Sequence, residues 1–371
     1  MTLTLRKYTE NDKQAVLDLH ETIHGSPRSE ELFDWKYHLS PLTENPNIIV
    51  AEHGSELVGC VGDFRVPLYV HNTPVVARQP VDLMIREKYR SAKLFVDIVD
   101  ELRNSFEDDD VAVEFGQPTE ETRKIWEQFE NWKFSDYHRK FRLLQPDKLL
   151  SESGTSAPNV ERVLQFASVP FRFTLILRDL IAPQGTTTEV VRNQEGFLNT
   201  AFQTPPTDHH PVCIQRDEQY WTWRTNDPLL DIRTYWIGEE ASPDAAVLVA
   251  RDTTSNTCTI ALQECADKDA GLNSLSCLFQ QILFDYRDAV MIEAPATTLQ
   301  DLVGCDELMH DQWVATLSDR SIGNTIEEKF GISFDYLTSW TLGCNWYDKS
   351  GSSDGEHIPV SEWEFSPLLI D

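Results

Sequence analysis

VDLMIREKYRSAKLF, residues 81–95, carries the most informative pattern of the chain. It predicts a strand that ends at Ile85, a short charged turn, and a helix that begins after Tyr89-Arg90. The helix is indicated by apolar residues at i, i+4 and i+8 spacing, which lie on one face: Leu94, Ile98, Val99, Leu102 and Phe106. Because the first helical turn has unpaired N–H groups at the positive end of the helix dipole, this connection is suited to binding phosphate.

Strands and helices also alternate on both sides of this stretch. Further strands are predicted at residues 3–6, 48–51, 57–61, 66–70, 111–113 and 141–144. Helices are predicted after the start signal Thr9-Glu10-Asn11-Asp12, with Gly25 as the stop, and at residues 119–129. This mixture predicts an α/β fold built on a mixed sheet.

The succession resembles the GNAT acyltransferase superfamily. In that family a central strand presents its backbone to the pantetheine arm of acetyl-CoA, and the following loop and helix start hold the pyrophosphate. Tyr89-Arg90 match the common Tyr-Arg before the glycine-rich loop, and backbone N–H groups from Ser91 to Phe95 are expected to face the pyrophosphate. The resemblance therefore implies these cofactor-binding residues: Met84, Ile85, Arg90, Ser91, Ala92, Lys93, Leu94 and Phe95.

The loop departs from the family pattern. The family usually has glycine where this chain has Ser91 and Lys93, and glycine allows a phosphate to approach the backbone closely. Serine is small and carries a hydroxyl, and Lys93 can bring positive charge to the pyrophosphate. Further along, Phe129 stands where many members have the tyrosine that serves as general acid, and phenylalanine has no proton to donate.

Acyl transfer to an amine needs a base for the ammonium proton and an acid for the leaving thiolate. Asp82 and Glu114 lie on the two strands that diverge around the acyl site in the resemblance, so each is a candidate base. Tyr137, the nearest tyrosine after Phe129, is the candidate acid. The alternative interpretation is that the carboxylates are solvated or paired and that the tyrosine is an exposed strand residue.

The charge of the chain limits its partners. Sixty-one acidic residues stand against 32 basic ones, 12 of them lysine, for a formal net charge of -29. Such a surface repels nucleic acid and anionic membrane. Many carboxylates with few lysines are also typical of proteins from a very salty cytoplasm, where the Debye length is about 3 Å at 1 M salt.

We therefore expect the melting temperature to rise steeply between dilute buffer and molar KCl, because salt screens the repulsion between surface carboxylates. Scanning calorimetry over that range measures the effect. A melting temperature that does not respond to salt would contradict the halophilic interpretation.

The cysteines and histidines predict neither disulfides nor a metal site. Seven cysteines form no Cys-x-x-Cys pair, which favours reduced thiols in a cytoplasm, and the N-terminal segment lacks the apolar core of a signal peptide. His20 and His24 are four residues apart but have no predicted third ligand, which a zinc site needs. His209-His210 and Cys213 lie in a proline-flanked connection.

A repeat divides the chain. Trp35-Lys36 and Trp223-Arg224 are 188 residues apart, and the strand residues Val58 and Val247 are 189 residues apart. A shared offset across two elements indicates a duplicated unit, with chance similarity as the alternative. The predicted organisation is a GNAT-like domain at 1–145, a linker and interdomain element at 146–185, a second GNAT-like domain at 186–350, and a tail at 351–371.

The second unit lacks the cofactor loop. Its predicted elements follow the order of the first: strand 257–262, helix 272–286, strand 290–293, helix 298–303, and closing strands at 313–317 and 336–342. The connection at 266–271, ADKDAG, places two carboxylates where the first unit has its Tyr-Arg turn, and carboxylates repel a pyrophosphate. The second unit is predicted to be a lid or a substrate platform.

The resemblance implies an N-acyltransferase that moves an acetyl group from acetyl-CoA to an amine. A small amine, an amino sugar or a protein amino group would suit as acceptor. Two alternatives remain. The chain is a binding or scaffolding protein that has kept the fold, or it is similar to the Fem-type aminoacyl transferases, tandem GNAT-like proteins that use aminoacyl-tRNA. The acidic surface weighs against the RNA-dependent alternative.

Overall fold

The computed structural model describes residues 3–42, 45–105, 111–128, 132–145, 191–192, 198, 202, 211–239, 242–265, 268–295, 339–346, 358 and 363. Within them, 13 strands form one sheet. The strands of the N-terminal half are β1 (Leu3–Lys7), β2 (Asn47–His53), β3 (Glu56–Val70), β4 (Thr73–Ile85), β5 (Val111–Gly116) and β6 (Lys133–Leu143).

The C-terminal half contributes the remaining strands, which are β7 (Val191–Arg192), β8 (Val212–Ile214), β9 (Leu230–Glu239), β10 (Ser242–Asp252), β11 (Thr257–Cys265), β12 (Met291–Pro295) and β13 (Ser339–Trp346). The helices in the described residues are α1 (Lys13–His24), α2 (Glu30–Tyr37), α3 (Ala92–Ser105), α4 (Glu120–Trp126), α5 (Glu218–Thr225) and α6 (Lys268–Asp285). None of them is long and apolar enough to cross a membrane.

The helix boundaries follow from local signals. Asp12 accepts a hydrogen bond from the backbone N–H of Thr9 at 2.8 Å and so joins the start signal to the helix. Gly25 ends α1 at φ 75°, a left-handed conformation that suits glycine. The Oγ atom of Ser29 accepts from Leu32 N at 3.1 Å and caps α2.

One strand boundary was predicted wrongly. Residues 57–61 and 66–70 are parts of a single strand, β3, that pairs with β4 from Val70↔Thr73 to Gly59↔Ile85. The polar residues that interrupt its apolar pattern are buried in the sheet, because the Oδ2 atom of Asp63 forms an ion pair with Arg78 Nε at 2.8 Å. Polar residues therefore marked a buried ion pair and not a loop.

The sheet has the same strand order from either end. The order is β1-β2-β3-β4-β5-β13-β6-β12-β11-β10-β9-β7, with β8 added beside β3. Among the named strands of the described residues, only the pairs β4–β5 and β11–β12 are parallel. Each half also gives its last described strand to the other: β13 pairs with β5, and β6 pairs with β12. This symmetry supports the duplication inferred from the repeat, whose domain boundaries stay a prediction.

The repeated tryptophans meet each other. The rings of Trp35 in α2 and Trp223 in α5 stack with centroids 5.0 Å apart at an interplanar angle of 8°. Trp35 Nε1 donates to the carbonyl oxygen of Trp223 at 2.8 Å, and Trp223 Nε1 donates to that of Trp35 at 3.0 Å. The Arg224 guanidinium lies 5.1 Å from both ring centroids. The contact is reciprocal, as in a two-fold symmetric interface.

The core is divided between the two faces of the sheet. Val58 of β3 packs in the cluster beneath α3, and Val247 of β10 packs in the cluster beneath α6. A third cluster joins the two halves and contains Phe115 and Val81 from the first half with Leu248 from the second. The two halves therefore share this third core, in addition to the separate cores beneath α3 and α6.

Candidate functional site

An opening lies between β4 and β5. The two strands pair in parallel at Val76↔Val111, Ala77↔Val113 and Arg78↔Glu114. Beyond Arg78, β4 continues to Ile85 and has backbone partners only in β3 among the described residues. Two parallel strands that separate towards their carboxyl ends leave unpaired backbone groups between them, and these groups are available to a ligand.

A bulge distorts β4 beside this opening. Cys60 pairs with Met84 and Gly62 with Val81, so that Val61 of β3 faces two residues of β4. One of these two, Asp82, has φ 52°. This conformation costs a non-glycine residue roughly 1–3 kcal/mol and occurs often at functional sites, as do bulges.

Asp82 is the centre of a buried polar cluster. Its carboxylate accepts hydrogen bonds from Tyr37 Oη at 2.6 Å and Lys36 Nζ at 3.2 Å, both from α2. Arg28, just before α2, contacts both carboxylate oxygens, with Nη2 3.0 Å from Oδ1. Tyr37 reaches this place because Gly62 has no side chain: a Cβ atom there would lie 2.6 Å from the Tyr37 ring.

The cluster changes the proton affinities of its members. Burial opposes the charge on Asp82, but Lys36 and Arg28 hold its pKa well below the usual range. Burial lowers the pKa of Lys36 to about 8 and raises that of Tyr37 well above its usual value. A carboxylate with so low a pKa is a weak base. The catalytic role of Asp82 stays a prediction, and its surroundings favour holding charge over taking up a proton.

Glu114 lies on the other face of the sheet. It is fully buried, and Arg103 of α3 donates to both of its carboxylate oxygens, at 2.9 Å and 2.7 Å. Near it, burial raises the pKa of Asp63 to about 6. Because both oxygens of Glu114 accept from one guanidinium, its predicted role as a base would require that pair to open. That role also stays a prediction.

Tyr137 lies farther along the sheet. It is a residue of β6, and its Cα pairs with the Cα of Trp340 in β13. Its side chain and Phe129 lie outside the described residues. The structure therefore places the Tyr137 backbone next to the strand from the other half, and its role as acid remains a prediction.

The predicted pyrophosphate loop is a short 3-10 turn, Glu87–Tyr89, followed by α3. Ser91 caps this helix, since its Oγ atom accepts from Leu94 N at 3.2 Å and its carbonyl oxygen accepts from Phe95 N at 3.1 Å. Two of the N–H groups expected to face a pyrophosphate therefore have partners within the helix. The N–H groups of Ala92 and Lys93 form the remaining part of the first turn.

The two basic residues of the loop, Arg90 and Lys93, have different partners. Lys93 is exposed and forms an ion pair with Asp97 at 2.6 Å, and Arg90 Nε donates to the carbonyl oxygen of Ile85 at 3.1 Å. The Tyr89 hydroxyl lies 3.3 Å from His53 Nδ1. Four members of the predicted cofactor set are buried, whereas Ala92 is exposed: Met84, Ile85, Leu94 and Phe95. The Ile85 carbonyl and the N–H groups of Leu94 and Phe95 already have partners within the chain.

Sequence reasoning missed the partners of Asp82. Arg28 and Lys36 are 54 and 46 residues away in the chain. In the sequence, Lys36 is distinctive only as part of the repeated aromatic–basic pair, and Arg28 follows a proline without any distinctive pattern. Only the position of α2 against the bulge brings these residues together.

The C-terminal half repeats part of this arrangement. Strands β11 and β12 pair in parallel up to Thr259↔Glu293. Glu293 is buried, like Glu114, and accepts a hydrogen bond from Thr259 Oγ1 at 3.1 Å. Helix α6 begins at Lys268, within the segment predicted to lack the cofactor loop, and the side chains of that segment lie outside the described residues.

The histidine pair of α1 is present in the structure. The His20 and His24 rings lie 4.5 Å apart, and His20 Nδ1 is 3.2 Å from the carbonyl oxygen of Ser26. Cys213 is buried in β8, whereas His209 and His210 lie outside the described residues. The described part of the chain contains no group of three or more His, Cys, Asp or Glu side chains that could hold a metal ion.

Known structures share this fold. The chain is similar to a GCN5-related N-acetyltransferase from Anabaena variabilis, with 10% identity, TM-score 0.50, and 79% of this chain and 65% of that chain covered. It is similar to a probable N-acyltransferase from Enterococcus faecalis, with 9% identity, TM-score 0.52, and 80% and 65% covered. N-myristoyltransferase from Saccharomyces cerevisiae with bound myristoyl-CoA gives 11% identity, TM-score 0.54, and 94% and 80% covered.

The chain spans 65% of the length of the Anabaena and Enterococcus proteins. At these identities the likeness is one of fold. A comparison with curated proteins finds no match. The sequence model of a protein family described as acetyltransferase (GNAT) domain matches residues 4–133, from β1 to the start of β6. The matched segment includes the opening, the bulge and the α3 loop. Residues 4–133 are therefore similar to the acetyltransferase (GNAT) domain.

Proposed function

We propose that the chain is an N-acyltransferase that moves an acetyl group from acetyl-CoA to an amine. The opening between β4 and β5, next to a helix start, carries the proposal, because it offers unpaired backbone groups to the pantetheine arm and a helix N-terminus to the pyrophosphate. The acceptor would be a small amine, an amino sugar or a protein amino group.

The reaction forms a bond between the amine nitrogen and the acetyl carbon and breaks the bond from that carbon to sulfur. The amine loses a proton, and the thiolate of coenzyme A gains one. Negative charge develops on the carbonyl oxygen in the transition state. Lys36 and Arg28, held at the bulge by Asp82, supply positive charge on the face away from α3. Asp82 and Glu114 remain the proposed bases, and Tyr137 the proposed acid.

The second half serves, in this proposal, as a duplicated platform without a cofactor loop. The matching strand order and the reciprocal tryptophan contact support the duplication. Cys60 and Cys258 form no disulfide, which fits a reducing cytoplasm, and the net charge of -29 fits a high-salt one.

Isothermal titration with acetyl-CoA in molar KCl tests the proposal most directly. Saturable binding, followed by release of free thiol when amines are added, is the expected result. A lack of binding at millimolar acetyl-CoA would contradict the proposed acetyltransferase activity.

The second candidate function is a binding or scaffolding protein that has kept the fold. It is favoured by the loop, where Ser91 and Lys93 replace glycines and Ser91 uses two of the N–H groups of the first helical turn. Such a protein would show neither acetyl-CoA binding nor thiol release in the same titration.

Replacing Lys93 with glutamate is expected to weaken acetyl-CoA binding by about 1–3 kcal/mol, if the lysine makes a charge-assisted contact with the pyrophosphate. The new carboxylate would lie beside Asp97 at the helix start and would repel the diphosphate. Titration calorimetry of the variant gives the change directly.

Two variants serve as controls for this change. Lys124→Glu makes the same change of charge on an exposed lysine that also pairs four residues away, with Glu120 at 2.8 Å. Asp269→Asn changes the corresponding segment of the second half. Both should leave the affinity for acetyl-CoA unchanged. Equal effects of Lys93→Glu and Lys124→Glu would mean that the α3 loop does not hold the diphosphate.

A further inference from the structure

Two buried tryptophans beside the opening have unsatisfied donors. The rings of Trp126 and Trp132 stack with centroids 4.1 Å apart at an interplanar angle of 21°. Each residue is only 5% exposed. The indole Nε1 atoms of both are buried and have no hydrogen-bond acceptor among the residues that the structure describes.

This pair lies between the start of α3 and the end of β5. Trp126 is the last residue of α4, and its ring lies 6.5 Å from the ring of Phe95 in the first turn of α3. A Cβ atom at Gly116, the last residue of β5, would lie 3.2 Å from the Trp126 ring. The stack therefore borders both the start of α3 and the end of β5, on the face of the sheet that α3 covers.

Packing alone does not explain the two N–H groups. A buried donor without a partner costs about 1–3 kcal/mol, and phenylalanine would fill an apolar core without this cost. The Trp35 and Trp223 stack shows the usual arrangement, since both of its N–H groups donate to carbonyl oxygens. Trp221 has a single donor of this kind, whereas the Trp126 and Trp132 donors, without acceptors among the described residues, are neighbours and are placed to bind one ligand with two acceptor groups.

We propose that Trp126 and Trp132 bind the pantetheine arm of acetyl-CoA by donating to its amide carbonyl oxygens. This inference rests on the proposed function. The arm carries two amide groups separated by methylene groups, which match two neighbouring donors set in an apolar surface. Because both tryptophans are 5% exposed, this binding requires the stack to move away from the Phe95 ring.

Trp126→Phe and Trp132→Phe test the assignment, because each removes the N–H group and keeps an aromatic ring. Calorimetry with acetyl-CoA should give about fivefold weaker binding for each variant, the value of one neutral hydrogen bond. Binding of adenosine 3′,5′-bisphosphate, which lacks the pantetheine arm, should be unchanged. Trp221→Phe is the matched control, because it removes a buried indole N–H without a described acceptor from the other face of the sheet.

A measurement on the unaltered chain makes the test independent of how the variants fold. In ¹⁵N-tryptophan spectra, acetyl-CoA should shift two indole N–H resonances that adenosine 3′,5′-bisphosphate leaves in place. Variants that bind acetyl-CoA as tightly as the unaltered chain, or that weaken both ligands equally, would overturn the tryptophan assignment alone. An unaltered chain that binds no acetyl-CoA would overturn the proposed function together with it.

Discussion

Replacing Trp223 with alanine is expected to lower the free energy of unfolding by about 3–5 kcal/mol, the usual cost of removing a large buried aromatic side chain. The residue is 5% exposed. Its loss removes the stack on Trp35 and the hydrogen bond to the Trp35 carbonyl. It also leaves the Trp35 ring and the Arg224 guanidinium beside a cavity. Denaturant unfolding in molar KCl measures the loss.

Because the contact is reciprocal, we also expect coupled losses of stability when the two tryptophans are replaced. Trp35→Ala should cost a similar amount, and the double variant should cost less than the sum of the two, because both changes remove one shared interaction. Leu39→Ala is the control, because it changes an exposed residue just after α2 and should have little effect. Fully additive losses for the two tryptophans would contradict a coupled interface between the halves.

Asp82→Asn is expected to destabilise the fold by about 3–5 kcal/mol at neutral pH, because it leaves the buried Lys36 and the partly buried Arg28 without their shared counter-charge. Lys36 is 1% exposed, and Arg28 contacts both carboxylate oxygens. Asparagine has nearly the same shape, so the loss reports charge and not volume. Chemical denaturation of the two proteins gives the difference.

The difference should depend on pH in a definite direction. The pKa of Asp82 is lowered in the folded state, so its contribution to stability is present above the unfolded pKa of about 3.9 and is lost as pH falls below it. The two proteins should therefore converge in acid. Asp97→Asn, which breaks only the exposed pair with Lys93, should cost less than about 1 kcal/mol. A cost for Asp82→Asn as small as that of the control would mean that the cluster does not depend on the carboxylate.

These two clusters bear on the proposed reaction in different ways. The tryptophan contact joins the halves, and a variant that loses it should lose stability before it loses affinity for acetyl-CoA. The Asp82 cluster lies at the bulge itself. If its cations stabilise the transition state, a folded Asp82→Asn protein in high salt should bind acetyl-CoA normally and transfer the acetyl group more slowly.

Much of the first half could be predicted from the sequence, because the signals that specify it are local. The spacing of Leu94, Ile98 and Leu102 placed α3, and these residues are buried beneath it as expected. The Tyr-Arg turn and the strand before it led to the GNAT resemblance, which the match to residues 4–133 confirms. The offset between Trp35 and Trp223 also predicted that both lie in similar elements, and they lie in the helices α2 and α5. Such a repeat can be seen in the sequence without knowledge of the contacts that its residues make.

The site depended on information that no local pattern contains. Asp82 was recognised as a candidate only from its strand, and its partners come from residues far away in the chain. Whether a carboxylate is a base, an ion-pair partner or a solvated group depends on the charges within a few ångströms of it and on its burial. The same applies to Glu114, whose pairing with Arg103 requires α3 to lie over β5.

The sequence by itself determined the order of the elements, the acidic surface and the repeated aromatic–basic pair, because propensity, periodicity and composition are properties of neighbouring residues. Only the tertiary structure decided that β6 and β13 are exchanged between the halves, that Asp82 is surrounded by cations, and that the Trp126 and Trp132 donors lie buried beside the opening. Strand pairing and the contacts of buried charges are long-range, and they are selected by the free energy of the whole packed sheet and not by any one segment.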